Sequence, residues 1–498
     1  MQLKFSLDSP LNSEVINYIQ RFGHAKKIPG TVRYNVTATG NTIAHAVKWA
    51  VRYYGIQADG SFVKRTFCYS NGNIYLGNDV TGALTSVYSG LKVDCYPEHV
   101  IQQVAGNSRM FLFNGYDTPL YYEGDALGTF YQSAITYKFV QGVIKDDRLW
   151  GFTRNSSTLY FSRILYPEDF SVTYGGSIII GNEKDSFIRR IELLGDDLYI
   201  FKNDSIWVLR GSTKASYTVD RVISNMGLLA QRALTQVSSA LVFVCQQDKE
   251  IYEFTETPSP RKLSSNLFDR KIGFKDLLDL TKTDDIVCGW DTVNNLFRVS
   301  FNDIAARESY QNSELIFPTD DFNKGGRPKW SQTYGARISC YSLQTRQGDH
   351  ELLTGRADLG ALMYHNRGYD FDNRAIETIL RTDDFIPSAG RNTQFDGLYP
   401  RGVPSNGTIT IRAYLNHRHS GRSSQAMADI GEQDTLGGIV LSTQYRFGNY
   451  LPLLTGQNVG ESLALEFYDA EHGKNIQLED VVLDVVKRDK IRSALIPG

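Results

Sequence analysis

Few residue pairs in the sequence have the types and spacing needed for catalysis. Ser61 and Lys64 form a Ser-x-x-Lys, in which a lysine could activate a serine nucleophile, as in penicillin-binding enzymes. The pair directly follows the turn signal Asp59-Gly60, and the partner motifs of that enzyme class are missing, so a turn leading into a strand is the favoured interpretation. Glycine-rich phosphate loops and a Gly-x-Ser-x-Gly motif are also missing. We predict no catalytic residue and no enzymatic activity.

Metal and cofactor chemistry has equally little support in the sequence. His417 and His419 could share one strand face, but no third ligand lies near them in the sequence. Asp321, Asn323 and Gly325 resemble part of a calcium loop whose closing carboxylate is replaced by Gln332. His350 and His365 flank a hairpin and have no obvious role. We predict no metal site and no cofactor.

Acids and tyrosines leave a carbohydrate function open as the alternative. A glycosidase or sialidase-like tailspike needs two facing carboxylates, and four acids stand at hairpin starts or turns: Asp125, Asp147, Asp196 and Asp285. Aspartate is also a routine turn former, and the aspartate boxes of sialidases do not occur. Tyr53-Tyr54 and Tyr121-Tyr122 could stack on sugars, although packing between sheets is the favoured use of these rings.

A recurring hairpin dominates the arrangement of the chain. A short apolar and aromatic strand, a polar turn and a second strand recur from Phe62 onward, with turn centres such as Asn71-Gly72 that tolerate tight reversals. If one apolar residue per copy is taken as equivalent, the spacings are 48, 39, 49, 43, 46 and 65 residues, measured between Phe62, Met110, Leu149, Leu198, Leu241, Val287 and Leu352. This period predicts an all-β fold with a six- or seven-bladed β-propeller at residues 45–375. The longest gap predicts an insertion loop at residues 302–329.

The two ends of the chain differ from the repeat. Alternating apolar residues in Thr408–Leu415, Leu441–Phe447, Leu463–Phe467 and Val481–Val485 predict a separate C-terminal β-sandwich at residues 376–498, with residues 420–438 as a loop. Residues 1–44 are predicted to be an N-terminal docking arm that contains one short helix at Ser13–Phe22.

Charge and cysteine usage add expectations about surroundings. Residues 1–65 contain nine Lys or Arg and three acids, which gives a charge of +6. Because the net charge of the whole chain is −2, the remaining residues carry −8. We predict that Lys26, Lys27 and Arg33 dock on an acidic neighbouring protein. Five widely spaced cysteines and an N-terminus unlike a signal peptide predict free thiols and assembly in a reducing cytoplasm. No stretch is apolar enough to predict membrane insertion.

Several segments resemble the β-propeller virion proteins of tailed double-stranded-DNA phages. The similarity is greatest at residues 146–254, which contain LYFSRILYPEDFS, a Leu-Tyr-Ile-Phe-Lys to Ile-Trp-Val-Leu hairpin and a terminal Ile-Tyr-x-Phe. KKIPGTVRYN from Lys26 and ALEFYDAEHGKNIQLEDVVLDVVKR near the C-terminus are similar to the beginning and the closing β-domain of such proteins. The family comprises tail nozzle and hub proteins, also called tail tubular or packaged-DNA-stabilisation proteins.

This resemblance implies a structural role in a phage tail. The chain would form a homo-oligomeric ring, commonly of six subunits, that builds the DNA exit channel of the virion. The ring would bind a portal or adaptor protein above and tail fibre or needle proteins below. Double-stranded DNA would pass during ejection without specific binding, since phosphate contacts by Lys and Arg would hold it.

Overall fold

The N-terminal residues form five short strands before the first repeat. The computed structural model describes residues 2–6, 14–21, 24–35, 43–181, 186–256, 259–265, 267, 273–304, 313–320, 328–342, 352–367, 370–372, 374–382, 385–386, 393–403, 410–415, 428–429, 451–452, 459–460, 462–469 and 477–487. The first strands are β1 (Gln2–Ser6), β2 (Glu14–Ile16), β3 (Tyr18–Arg21), β4 (His24–Lys27) and β5 (Thr31–Arg33).

Six consecutive antiparallel repeats then follow along the chain, each with four strands numbered outward from the innermost. Their strands are β6 (Trp49–Ile56), β7 (Phe62–Ser70), β8 (Asn73–Gly77) and β9 (Leu84–Tyr88); β10 (Glu98–Val104), β11 (Asn107–Phe113), β12 (Leu120–Tyr122) and β13 (Tyr131–Gln132); β14 (Phe139–Lys145), β15 (Arg148–Thr153), β16 (Thr158–Phe161) and β17 (Gly176–Ile179); β18 (Ile188–Leu194), β19 (Asp197–Lys202), β20 (Ser205–Arg210) and β21 (Thr218–Ser224); β22 (Leu234–Val237), β23 (Ala240–Val244), β24 (Ile251–Phe254) and β25 (Arg261–Lys262); and β26 (Val287–Asp291), β27 (Leu296–Phe301), β28 (Ser313–Pro318) and β29 (Ser331–Tyr334). Two short 3₁₀ helices, Phe274–Asp276 and Leu280–Asp285, lie between the fifth and sixth repeats.

The seventh blade closes the ring with a strand from the other end of the chain. Its inner strands are β30 (Ile338–Ser342), β31 (Leu353–Arg356) and β32 (Leu362–His365), and β5 pairs antiparallel with β32 as the fourth strand. The fold is therefore a seven-bladed β-propeller, within the predicted range. Because blade seven is shared between distant segments, opening the ring requires breaking the pairing of β5, which lies inside the predicted docking arm.

The propeller is held together by apolar side chains between neighbouring blades. Tyr53 and Phe67 of blade one pack against Tyr122 of blade two, with ring centroids 4.9 and 4.8 Å apart. At the ring closure, Cys68 of blade one and Cys340 of blade seven belong to one buried cluster. All five cysteines are free and buried. Since each blade buries both faces against its neighbours, the strands read as nearly continuous apolar runs rather than strict alternation.

Two further sheets follow blade seven and include N-terminal strands. The remaining strands are β33 (Asp370–Phe371), β34 (Arg374–Ala375), β35 (Thr378–Arg381), β36 (Thr393–Val403), β37 (Thr410–Leu415), β38 (Ala428–Asp429), β39 (Leu451–Pro452), β40 (Val459–Gly460), β41 (Leu463–Asp469) and β42 (Gln477–Lys487). One sheet extends blade six in the order β29-β2-β35-β41-β37-β38, and the other has the order β3-β4-β42-β36-β39, with β1 on β42 and β40 on β36. Buried residues of both sheets, such as Phe467 and Val481, belong to one core. A separate C-terminal sandwich stays a prediction, because the described sheets recruit β1 to β4 and join blade six.

Two predictions about local structure are wrong. Ser13–Phe22 contains strands β2 and β3 instead of a helix, because pairing with β35 and β4 sets the conformation, and Tyr18 and Gln20 are buried while Ile19 is half-buried. Residues 302–329 are not simply an insertion loop, since they contain β28, the third strand of blade six. The reference residues of the first five copies lie in the second strands of their blades, but Val287 lies in the innermost strand of blade six. The spacing from Val287 to Leu352, which directly precedes the second strand of blade seven, is therefore longer than one repeat. Innermost strands begin at regular intervals of 41 to 53 residues, at Trp49, Glu98, Phe139, Ile188, Leu234, Val287 and Ile338.

The basic N-terminal region binds acids of its own chain. Among the basic side chains that the structure describes there, five form ion pairs with acids that lie beyond Arg65 in the sequence: Arg21 with Asp320, Lys27 with Asp469, Arg33 with Asp372, Lys48 with Asp94 and Arg52 with Asp79. Lys27 is fully buried, so the prediction that it docks on a neighbouring protein is wrong. These ion pairs instead join the basic N-terminal region to later parts of the same chain.

Candidate functional site

The axial mouth of the propeller is the place where charged side chains of several blades meet. We define it by Tyr96, Glu98, Arg190, Arg232 and Asp285, each of which lies within three residues of the start of an innermost strand. Their contacts join blades that are not neighbours in the ring, which is possible only across the axis. The face of the propeller that carries this mouth is called the mouth face, and the other the opposite face.

Arg190 of blade four is the centre of the first half of the mouth. Its Nη1 atom lies 3.1 Å from Oε1 of Glu98 in blade two, and its Nε atom lies 3.2 Å from Oε2 of Glu192. The same Nη1 donates to the carbonyl oxygen of Gln231, which precedes blade five, at 3.2 Å. One guanidinium therefore links three blades around the axis.

Tyr96 of blade two is the centre of the second half. Its hydroxyl donates to Oδ1 of Asp285 in the segment leading into blade six, at 2.5 Å. The guanidinium carbon of Arg232 lies 3.5 Å from the centre of the Tyr96 ring, close enough for a strong cation–π contact. Arg232 also donates to the carbonyl oxygen of Ser339 in blade seven, at 2.5 Å. Asp285 accepts a further hydrogen bond from Asn302 at 3.1 Å.

The electrostatics of the mouth are those of an ion-paired network. Burial raises the pKa of Glu192, the nearby Glu98 raises it further, and Arg190 opposes both. Burial alone would lower the pKa of Arg190, but the two glutamates raise it above the ordinary value. Burial also raises the pKa of Tyr96, with Arg232 opposing it. The charged groups of this site thus stabilise one another in place.

The four acids considered for glycoside hydrolysis are divided between the two faces of the propeller. Asp285 belongs to the mouth, whereas Asp147 and Asp196 lie in the turns between first and second strands, on the opposite face. Asp125 lies between β12 and β13, also on the opposite face, and its side chain accepts from the amide of Thr129 at 2.8 Å. These three acids act as turn residues. Asp147 and Asp196 occupy equivalent turns of the neighbouring blades three and four, where the Nζ atom of Lys145 donates to the carbonyl oxygen of Asp196 at 2.6 Å. A facing pair that includes Asp285 does not fit this arrangement, whereas a pair of Asp147 and Asp196 stays a prediction.

The other predicted candidates take ordinary structural positions where they are described. Asp59 accepts from the amide of Ser61 in an exposed turn, and Lys64 lies 5.8 Å from the ring of Tyr54. Gln332 is buried and donates to Asp303 at 2.9 Å. His365 is buried, and burial followed by the charge of Arg298 lowers its pKa well below the ordinary value. The remaining candidates lie outside the described residues: His350, His417, His419, Asp321, Asn323 and Gly325.

Searches for other kinds of site gave negative results within the described part of the chain. No group of three or more His, Cys, Asp or Glu side chains there could hold a metal ion. Over the same residues, no helix has the length and apolar character that crossing a membrane would require.

Sequence reasoning missed the principal residues of the mouth. Glu98, Arg190, Glu192 and Arg232 match no catalytic motif, so a motif search passes over them. Their signal is positional: once the innermost strands are aligned at their first residues, Tyr96, Arg232 and Asp285 each stand two residues before such a strand. The copies in the sequence were aligned on residues at the second strands, and in blade six on a residue of the first strand. The shared position of these three residues was therefore not visible.

Comparison with known proteins gives similarity at the level of solved structures. No protein-family model and no curated protein matches the chain. An extracellular domain of the putative one component system BT4673 from B. thetaiotaomicron is 12% identical with a TM-score of 0.42, covering 79% of this chain and 47% of that one. An ancestral GH74 enzyme is 11% identical with a TM-score of 0.41, covering 71% and 50%. PorZ of Porphyromonas gingivalis is 11% identical with a TM-score of 0.38, covering 72% and 44%. The matches thus span half or less of each of these three chains.

Proposed function

We propose that the chain is a structural subunit of a phage virion tail, of the nozzle or hub type, without enzymatic activity. Copies of the chain form a closed homo-oligomeric ring, of six subunits in the form that the sequence resemblance implies. The ring builds the DNA exit channel between a portal or adaptor protein and the tail fibres or needle. Assembly takes place in the host cytoplasm, and the duplex passes without specific binding.

The interweaving of both chain ends with the propeller is the observation that carries this proposal. Strand β5 completes blade seven, while β2 lies between blade six and strand β35 of the outer sheet. Lys27 and Asp469 add a fully buried ion pair, with 2.7 Å between Nζ and Oδ2, that joins the N-terminal hairpin to β41. A block fastened in this way resists opening, which suits a tail wall that must stay rigid as DNA passes.

The axial mouth supports a structural use as well. Across the axis, Arg190 pairs with Glu98 and the hydroxyl of Tyr96 donates to Asp285. Arg232 lies against the ring of Tyr96. A substrate would have to displace the ion pair between Arg190 and Glu98, which joins blades two and four, and the hydrogen bonds from arginines that reach blades five and seven. The network therefore fills the axial mouth and stabilises the arrangement of the blades around the propeller axis.

Electron microscopy of the purified full-length protein tests the proposal. We expect closed rings with a central opening wide enough for a DNA duplex, and antibodies to the chain should label the tail of purified particles. Particles that assemble and eject DNA normally without this chain would contradict the proposal. Labelling of the capsid alone would do the same.

A glycan-hydrolysing or carbohydrate-binding propeller is the second candidate, and one observation favours it. Glu98 and Glu192 both lie at the mouth, and the pKa of Glu192 is raised, as a general acid requires. Turnover on a panel of polysaccharides that is lost in both Glu98→Gln and Glu192→Gln, but retained in Asp147→Asn on the opposite face, would establish this candidate. We expect no turnover, because Arg190 holds both carboxylates.

A further inference from the structure

Exposed apolar side chains are concentrated on one part of the opposite face. In blade one they are Ile56, Phe62 and Val80, and in blade two they are Leu127 and Tyr131. Val80 and Leu127, at 93% and 78% exposure, stand in the loops between the third and fourth strands. Isolated exposed apolar residues are normal on a protein surface, but a run of them on adjacent blades marks an interaction site.

Blade three continues this surface with a long loop at residues 162–175. The loop exposes five large apolar side chains, with Val172 at 87%: Ile164, Leu165, Tyr166, Val172 and Tyr174. Together with those of blades one and two, these residues form what we call the blade 1–3 apolar face. Among the described residues of blades four to seven, Val293 is the exposed large apolar residue on the same face.

The loop of blade three is held rigidly, although it points apolar groups outward. The amide of Leu165 donates to the carbonyl of Asp147 at 2.8 Å, and Glu168 binds both Arg109 and the amide of Ala134, at 2.6 and 2.7 Å. Leu165 itself has φ of 61°, a conformation that costs energy in a residue with a side chain. A fixed loop that presents apolar side chains is already organised for binding and loses little entropy on association.

The size and charge of the blade 1–3 apolar face decide which kind of partner fits it. Ten large side chains, on average about three-fifths exposed, together offer on the order of 1,000 Å². This exceeds the largest patch of a typical monomer, about 300–600 Å². It also suffices for the roughly 800 Å² that each partner contributes to a stable protein interface. A small ligand would leave most of this surface in water.

Nucleic acid is a poor partner for this surface. The connecting loops of blades one to three on the opposite face carry one arginine, Arg163, and eight acids: Asp59, Asp79, Glu123, Asp125, Asp146, Asp147, Glu168 and Asp169. Five of these acids pair with Arg52, Arg109, Lys145 or Arg163 of the same chain, so eight acids stand against four basic residues. A phosphate backbone requires the reverse balance. At the outer edge of blade four, Arg210 pairs with Asp197 and Asp220, and the Nζ atom of Lys214 donates to the carbonyl oxygens of Val172 and Gly175, each at 3.0 Å. Lys214 therefore helps to fix the loop of blade three in place.

We propose that the blade 1–3 apolar face is the contact surface for a second copy of this chain. Its apolar side chains bury against the neighbouring copy. This inference rests on the proposed function, since a closed ring needs a lateral contact between identical subunits. It assigns that contact to blades one to three and leaves blades four to seven of the opposite face outside it.

Site-specific photocrosslinking of the purified full-length protein tests the assignment. The crosslinker p-benzoylphenylalanine is placed at Val172 in one preparation and at Val293 in a matched control. We expect crosslinked dimers from position 172 and few from position 293. Native mass should show a multimer for the parent chain, and Leu127→Asp with Val172→Asp should weaken association at least about tenfold, whereas Val293→Asp should not.

Two results would overturn the proposal. One is a parent chain that stays monomeric at concentrations of about 100 µM, and the other is equal crosslinking from positions 172 and 293. Crosslinking at position 172 in purified particles separates this inference from the proposed function. Crosslinks to a different virion protein alone would overturn the self-contact while the tail function stands. If the chain is missing from particles yet self-associates through position 172, the tail function fails and the contact stands.

Discussion

Lys27 and Asp469 form an ion pair in which both side chains are fully buried, with Nζ and Oδ2 2.7 Å apart. Removing one partner of such a pair leaves an uncompensated buried charge, which costs about 3–5 kcal/mol. We therefore expect Lys27→Met to lower the unfolding midpoint strongly in a denaturant titration. Lys26→Met, at the half-buried neighbouring position, is the matched control and should change stability by about 0.5 kcal/mol or less. The double variant Lys27→Met with Asp469→Leu should recover most of the loss, and a failure to recover would show that the charge is not the cause.

His365 should make the stability of the protein depend on pH. Its pKa is lowered well below the ordinary value by burial and then by Arg298, with Asp291 opposing. The unfolded chain therefore takes up a proton near pH 6.5, before the folded chain does, so the stabilisation is complete above that pH and falls on acidification. Below pH 6.5 the loss approaches about 1.4 kcal/mol per pH unit. Unfolding measured from pH 7.5 to 5.5 should show this slope flatten in His365→Asn.

His45→Asn is the control for that measurement, because His45 is exposed. His99 contributes to the parent slope with the same sign, since burial lowers its pKa too. An unchanged slope in His365→Asn would refute the assignment.

At the scale of elements, strand β5 should control the closure of the ring. The amide of Tyr34 donates to the carbonyl of Leu362, and alternation along an antiparallel pair places Val32 opposite Tyr364 in the next hydrogen-bonded pair. Val32→Pro removes the backbone amide of Val32, which donates to Tyr364 in this pair, whereas Val32→Thr keeps that amide. We expect faster hydrogen exchange of blade seven amides at 353–365 in the proline variant, with the threonine variant like the parent. Equal protection in both variants would mean that β5 is dispensable for closure.

The sequence predicted the elements of the propeller well and their partners poorly. Turn signals such as Asn71-Gly72 and apolar strand pairs are local, so the repeat and the all-β class could be inferred; Asn71 and Gly72 indeed have positive φ in the turn between β7 and β8. The pairing of β5 with β32 joins residues more than 300 positions apart, and no local pattern encodes it. The helix prediction at Ser13–Phe22 failed partly for the same reason, because β2 pairs with the distant β35, whereas β3 pairs with the nearby β4.

The axial mouth shows the same limit for the candidate site. Each of Glu98, Arg190 and Asp285 is an ordinary charged residue near the start of a strand, and only the closed ring brings residues of blades two, four and six to one axis. Sequence motifs describe chemistry carried by neighbouring residues. They could not describe a network whose members come from five blades.

At the scale of the whole molecule, the distribution of charge predicts how the protein meets DNA. The N-terminal region carries +6 by sequence, yet Arg21, Lys27, Arg33, Lys48 and Arg52 are paired with acids of the same chain. These cations are therefore engaged within the molecule, and the net charge of the chain is −2. A chain with this balance should hold a DNA duplex only weakly.

We expect the purified full-length protein to bind a labelled DNA duplex weakly, with little dependence on salt. Each phosphate neutralised by Lys or Arg would add about 0.9 to the slope of log affinity against log salt concentration, so a shallow slope reports few such contacts. Fluorescence anisotropy between about 50 and 200 mM salt measures both quantities. Tight binding with a steep slope would contradict the expectation, because it would require many contacts between phosphates and Lys or Arg side chains.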